Sequence, residues 1–527
     1  MRHVKSWIFW TTLLGVFCLA CQPPGQAGSE NAKSAVKTEV SPLTLEPCRF
    51  AAFDEMRAEM EANAESNDGL EIPDEALGEA RCGRYEVWEN REKAEGRRIG
   101  INVIVLPALG DEPAPDPVFL FAGGPGSAVS TWAWVAAGMP KIRERHDIVL
   151  VDQRGTGGSN PLACEPDGDD DNLQGFLDPE PTKEAAAACA EKLSAVADLR
   201  FYRTLDHADD VNDIRAALGY ETINMWGGSY GTRPVLVYLR RHPEHARSAV
   251  VTGVAHTGFK YPLEHSPAGQ RALNMVFEAC SNDEACNEAY PDPQGDLEKV
   301  LALFDEGPVT VEIPHPNRDE KVEVVLRREI FTERLRSMMY SSFGAARIPG
   351  LLRRTAESGN LMRAAVSVLE YEQGFGEGKY WFTGMWLAVT CTEDIPLITD
   401  AEVEAATAGS VLGDYRVSYH REACKVWPAG EIPEGYSEHV RSDVPVLVLS
   451  GDYDPVTPPS SGAAAAEHLS NSRHIVGQYG HGASDWDCME SVFADLFKRG
   501  NVEEVDTSCL ESMELPPWPV PGQMGPG

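Results

Sequence analysis

The stretch that most constrains this chain is residues 223–231, Ile-Asn-Met-Trp-Gly-Gly-Ser-Tyr-Gly. It reads as a short buried strand that runs into a sharp turn with a serine at its tip. Residues 232–245 follow at once, and Val235, Leu236, Tyr238 and Leu239 give them the period of an amphipathic helix. Passing from strand to helix in so few residues forces a turn so tight that the positions two before and two after the serine must lack a Cβ. Gly227 and Gly231 stand there. The Ser229 hydroxyl is then held clear of the backbone, the context a nucleophile elbow requires. The pattern alone is weak, because Gly-x-Ser-x-Gly arises by chance about one time in four in a chain of this size and composition. Its meaning depends on what else the chain supplies.

The chain surrounds it with alternating strands and helices. Residues 83–89 and 98–106 alternate like early strands. Residues 117–122 are a continuous apolar run, read as a central strand, and end in Gly123-Gly124-Pro125-Gly126. Residues 147–151 form the next strand, followed by the turn Asp152-Gln153-Arg154-Gly155-Thr156-Gly157. An acidic irregular insert runs from Cys164 to Cys189, with helical runs near 184–196 and 206–218. After the elbow helix comes a strand at 248–253. Alternation then stops until 444–450 and 473–476, and the residues between contain helical runs such as 331–339 and 350–369. A sheet interrupted by a long helical insertion and then completed is the plan of an α/β-hydrolase with a cap. The expected fold class is therefore α/β: a mostly parallel sheet flanked by helices, with a large helical cap inserted between late strands. The expected division is a signal peptide at 1–20, a flexible tether at 21–45, a first core part at 46–255 and a mainly helical cap at 256–440. A C-terminal core part at 441–510 and a disordered tail at 511–527 complete it.

Two further groups are needed to activate a serine. The acid belongs after the strand that resumes the sheet, in Gly451-Asp452-Tyr453-Asp454-Pro455-Val456-Thr457-Pro458. Asp454 is preferred to Asp452, because it reaches the loop tip where a histidine can meet it. The base belongs after the last strand. His481 lies between Gly480 and Gly482 in a loop, whereas His474 starts a strand and reads as structural. The order Ser229, Asp454, His481 is that of α/β-hydrolases. His481 would take the serine proton, and Asp454 would fix the imidazole tautomer. An oxyanion hole needs two fixed backbone N–H groups, assigned to Tyr230 and to Gly124 in the glycine–proline loop.

Composition bears on location and partners. Arg2, His3 and Lys5 precede an apolar run at residues 7–20 that reads as an export signal. Cys21 stands where a lipidated cysteine would follow it, ahead of a polar Pro/Gly/Ser-rich stretch. Of 12 cysteines, ten remain after Cys18 and Cys21, an even number that reads as a disulfide framework. Proximity suggests Cys48–Cys82, Cys164–Cys189, Cys280–Cys286, Cys391–Cys424 and Cys488–Cys509. The Cys-x-x-Cys at Cys18–Cys21 falls at the end of the export signal, the other ten cysteines contain none and no His-Glu-x-x-His is present, so no metal and no cofactor are expected. The formal charge of −36 argues against nucleic acid as a partner.

Taken together, Ala122-Gly123-Gly124-Pro125-Gly126, Asp152–Ser159, Gly227–Gly231, Gly451–Pro458 and Gly480-His481-Gly482 resemble the prolyl aminopeptidase and tripeptidyl aminopeptidase family of α/β-hydrolases. The resemblance runs from about residue 82 to 500, strong in the core and weak in the cap. Ala122 stands where prolyl aminopeptidases usually carry histidine. The resemblance implies a serine exopeptidase without metal, acting on small peptides from a free amino terminus. An ammonium group would then need a carboxylate, for which Glu393 and Asp394, between a cysteine and a proline, are the candidates. The expected protein is a monomer, exported either as a periplasm-facing outer-membrane lipoprotein or as a secreted enzyme. It meets a membrane only through its amino-terminal lipid. The alternatives are an esterase or lipase-like hydrolase using the same serine, and an inactive binding protein on this fold.

Overall fold

The computed structural model describes residues 43–48, 79–166, 168–178, 181–374, 380–482 and 485–521. The expected signal, Cys21 and all but the last three tether residues lie outside these, as do residues 522–527 of the tail. The strands are β1 (Glu46–Pro47), β2 (Arg81–Trp88), β3 (Arg98–Leu106), β4 (Val118–Phe121), β5 (Ile148–Val151) and β6 (Ile223–Gly228). They continue as β7 (Ala246–Thr252), β8 (Val309–Pro314), β9 (Lys321–Leu326), β10 (Val446–Gly451) and β11 (Ser472–Gly477). Nine of them form one sheet in the order β1-β2-β3-β5-β4-β6-β7-β10-β11. From β5 to β11 every neighbour is parallel, and the first three pairings are antiparallel.

The two-residue period of the strands sorts their side chains to two cores. In β10, Val446 and Val448 enter one and Leu447 and Leu449 the other. The helices Thr204–Leu218 and Thr232–Arg241 close the first face, and Trp486–Arg499 closes the second. Burial on both faces is why the central strands read as unbroken apolar runs. The turn after β5 is anchored by Arg154, which is fully buried. Its Nε and terminal nitrogen donate to Asp210 at 2.7 and 2.8 Å, and another nitrogen donates to the carbonyls of Glu89 and Phe201. Arg154 thus ties three segments to the turn that carries it.

The chain between β7 and β10 builds the cap. Its helices include His265–Asn282, Arg328–Met338, Ser342–Ser358, Met362–Gln373, Thr383–Glu393 and Tyr415–Cys424. The first four pack around Phe331, Leu335, Leu352 and Val368, whereas Thr383–Glu393 packs into the core on the sheet's first face. The cap is not helical throughout: β8 and β9 pair as an antiparallel hairpin. Val309, Val311 and Ile313 alternate with Thr310, Glu312 and Pro314, so the sequence carries a period-two signal for this strand that a helical reading of the segment passes over. Two segments from outside the insertion also join it. Leu173 and Leu177, from the acidic insert after β5, enter the cap core.

The tail departs from the expected disorder as well. Up to residue 521 it lies against the cap, where Val520 is buried beside Cys280 and Cys286 and the Tyr290 hydroxyl donates to the Pro519 carbonyl at 2.9 Å. A tryptophan and a valine among prolines offer apolar area to bury, and prolines leave few amides needing partners. All five proximity pairings form disulfides. Among the described residues no helix is long and apolar enough to cross a membrane.

Candidate active site

At the end of β6 the backbone turns through Ser229 with φ 55°, a left-handed conformation that a residue with a side chain rarely adopts. A Cβ on Gly227 would lie 2.3 Å from the Gly231 carbonyl oxygen, and one on Gly231 would lie 2.2 Å from that of Phe121. Neither position can hold another residue without moving the sheet. The turn is pinned from below, because Thr232 donates its hydroxyl to the Ser229 carbonyl at 2.6 Å and accepts from the Ala255 amide at 2.9 Å.

The loop after β10 carries Asp454, which has no exposed surface. One carboxylate oxygen accepts from the amides of Val456 and Thr457 at 2.7 and 2.8 Å. The other accepts from the Thr457 hydroxyl at 2.8 Å and meets His481 Nδ1 at 2.8 Å. A carboxylate can only accept there, so Nδ1 carries the proton and Nε2 presents a lone pair. Asp452 is turned away: its side chain is one-third exposed and lies 3.7 Å from Arg271. His474 bonds Ser450 at 3.0 Å under the sheet edge.

The cap supplies the wall that the glycines beside His481 leave open. Tyr340 packs edge-on against the His481 ring at 4.9 Å, and its carbonyl accepts from the Gly482 amide at 3.0 Å. A Cβ on Gly480 would sit 2.5 Å from the Met339 carbonyl, so glycine is what lets the cap come this close. The Gly124 loop is held likewise, since Phe382 donates its amide to the Gly126 carbonyl at 3.0 Å. Thr457, Tyr340 and Phe382 were not singled out in the sequence. Thr457 alone had a signal there, as a hydroxyl three residues beyond the acid.

Ser229, His481, Gly124 and Tyr230 line one cavity of about 1160 Å³ beneath the cap. Glu393 does not line it. One of its oxygens accepts from the Thr204 amide at 2.7 Å, and the other from the Thr204 and Tyr436 hydroxyls at 2.8 and 2.5 Å. Asp394 touches the cavity but is fully engaged with the buried Arg233, at 2.8 and 3.1 Å, and with the Tyr261 amide. Both expected ammonium ligands are therefore already partnered within the protein, because the helix Thr383–Glu393 is buried from Gly384 to its end and Asp394, which caps it, is buried too.

Besides Asp394, the described cap carboxyl groups that line the cavity are Glu333 and Glu372. Glu333 is shared by Arg336 and Arg416, which hold its carboxyl well down, at about 2, against the opposing effect of burial. Glu372 has no such pairing among the described residues. Burial, and then the Glu333 charge, push its carboxyl up to about 7.

Two family models match the chain. One, for the alpha/beta hydrolase fold, covers residues 116–276, and the other, described as TAP-like protein, covers residues 410–509. The chain is 24% identical over 435 residues to the serine protease Hip1 of Mycobacterium tuberculosis, across 77% of this chain and 82% of that protein. It is 31% identical over 201 residues to the tripeptidyl aminopeptidase of Streptomyces coelicolor, across 33% and 35% of the two chains. Among solved structures, a proline iminopeptidase of Mycobacterium smegmatis aligns with 14% identity over 80% of this chain and 99% of that one, at a TM-score of 0.34.

Proposed function

We propose that this serine hydrolase, an α/β-hydrolase of the family that holds the tripeptidyl and prolyl aminopeptidases, cleaves small peptides from a free amino terminus through an acyl-enzyme on Ser229. In this reading Ser229 Oγ attacks the scissile carbonyl while His481 Nε2 takes its proton, and the Asp454 carboxylate stabilises the imidazolium. The amides of Gly124 and Tyr230 receive the oxyanion. Collapse breaks the C–N bond as His481 returns the proton to the leaving amine. Water, deprotonated by the same histidine, then releases the acyl group. The enzyme works as a monomer without metal or cofactor.

The observation that supports a free amino terminus is Glu372. It is a carboxyl facing the cavity, with no hydrogen-bond donor among the described residues. A buried carboxylate is costly until something cationic pairs with it. The substrate's ammonium group is a partner of that kind, and it replaces Glu393 and Asp394 as the basis of the reading. Hydrolysis of a tripeptide coumarin amide and its N-acetylated twin tests this. Equal rates on the two would overturn the aminopeptidase reading and favour an esterase or endopeptidase.

The enzyme is exported, held at the periplasmic face of the outer membrane by a lipid on Cys21 or released. The five disulfides support an oxidising compartment.

A further inference from the structure

The cationic side chains of the cavity differ in one respect. Arg336 and Arg416 share Glu333, Arg233 holds Asp394, and Lys192 at the rim holds Glu165. Arg334 also lines the cavity, yet among the described residues no carboxylate comes within ion-pair distance of it. Its position is nonetheless well determined. Nε donates to the Ser367 hydroxyl at 2.8 Å, one terminal nitrogen donates to the Ser337 hydroxyl at 3.1 Å, and the guanidinium lies over the Tyr371 ring at 4.8 Å. Two neutral hydroxyls and a ring orient the fork, and among the described residues the second terminal nitrogen has no hydrogen-bond partner. In a chain of net charge −36, an arginine beside substrate space that pairs directly with no described acid, Glu372 and Glu370 acting on it only from beyond ion-pair distance, is ready for an acid brought from outside.

We propose that Arg334 is a specificity residue that selects peptides with an acidic side chain at or next to their amino terminus. The placement follows from chain geometry. Arg334 lies six residues before Tyr340, which packs on His481. The helix runs on to Met338 and a tight i→i+3 turn carries the chain through Met339 to Tyr340, a span of roughly 10 Å, a length that about three extended residues cover. An acyl group of two or three residues reaching from Ser229 would therefore bring its amino-terminal end beside Arg334 and Glu372. The guanidinium fork suits a carboxylate and repels a lysine. The assignment rests on the aminopeptidase reading for the direction in which the peptide lies.

The test is titration calorimetry on the full chain carrying Ser229→Ala, with glutamyl-alanyl-alanine amide, alanyl-glutamyl-alanine amide and their lysine counterparts. At least one glutamyl peptide is expected to bind at least tenfold tighter than its lysyl counterpart. Adding Arg334→Met should bring that ratio within about twofold, and Arg334→Lys should keep most of it. A ratio near one with Arg334 present, or a ratio that survives Arg334→Met, overturns the proposal. Melting curves show whether the methionine variant is folded. If it is not, Arg334→Gln, which keeps a polar group for the serines, takes its place under the same criteria. Acetylating the peptides separates the two ideas. An acid preference that depends on Arg334 and is indifferent to acetylation would leave this subsite standing and remove the amino-terminal reading.

Discussion

Replacing Glu372 with glutamine removes a charge and little volume. If Glu372 receives the substrate ammonium, the lost interaction is one charge-assisted hydrogen bond in a sheltered site, about 1.5–3 kcal/mol. At about 1.4 kcal/mol per tenfold, kcat/KM for a free tripeptide amide should fall roughly 10- to 150-fold. The N-acetylated twin, which has no ammonium, should be almost unaffected. The dependence on pH sharpens the test. Burial and the Glu333 charge hold the Glu372 carboxyl at about 7, so pairing is available above that pH and lost as pH falls through it. The peptide ammonium itself is lost above about 8. The ratio of free to acetylated kcat/KM should therefore peak between these values, since ionisations common to both substrates divide out. Glu372→Gln should flatten the ratio.

Stability supplies an independent check. The folded pKa lies above the ordinary 4.5, so this group's contribution to stability is full below that value and lost as pH rises through about 7. The glutamine variant should melt above the parent at pH 8 and lose that advantage at pH 5. A variant that slows both twins equally, with no change in the pH profile of their ratio, would refute the assignment.

Three other outcomes are expected. Ser229→Ala should lower kcat by roughly a millionfold with an unchanged melting curve, and residual turnover near the parent's would move the nucleophile elsewhere. Asp210→Asn should cost about 3–5 kcal/mol in urea denaturation, because the fully buried carboxylate pairs with Arg154 and also with Arg91 at 2.7 Å; a midpoint near the parent's would refute this. Cys21→Ser should move the protein from the membrane fraction of a Gram-negative host to the soluble one, and an unmodified amino terminus downstream of Cys21, found by mass spectrometry, would exclude the lipid.

Much of the framework could be read from the chain itself because its causes are local. Gly227 and Gly231 are dictated by the turn they flank, and a Cβ at either would collide with backbone. The apolar runs at β4 and β10 reflect a strand buried on both faces, wherever its neighbours lie. The cysteine pairs join positions 6 to 34 residues apart, so proximity was a sound guide. Asp454 and His481 could be picked out because each sits at a loop tip after a strand.

The substrate end of the site had no such local signature. Glu393 and Asp394 sit where a motif would place a ligand, yet packing turned the helix that carries them inward, and Thr204, Tyr436 and Arg233 took their oxygens. Glu372 and Arg334 look like ordinary charges on two cap helices. What singles them out is the absence of a described partner of opposite charge within pairing distance, while Glu333 beside them is claimed by Arg336 and Arg416. The same holds for the tail, whose Val520 gains its burial only where the Cys280–Cys286 pair meets it. Backbone geometry and strand period are properties of consecutive residues, so sequence alone determines them. Which charges find partners and which remain for a ligand depends on residues far apart in the chain, and only the tertiary structure decides it.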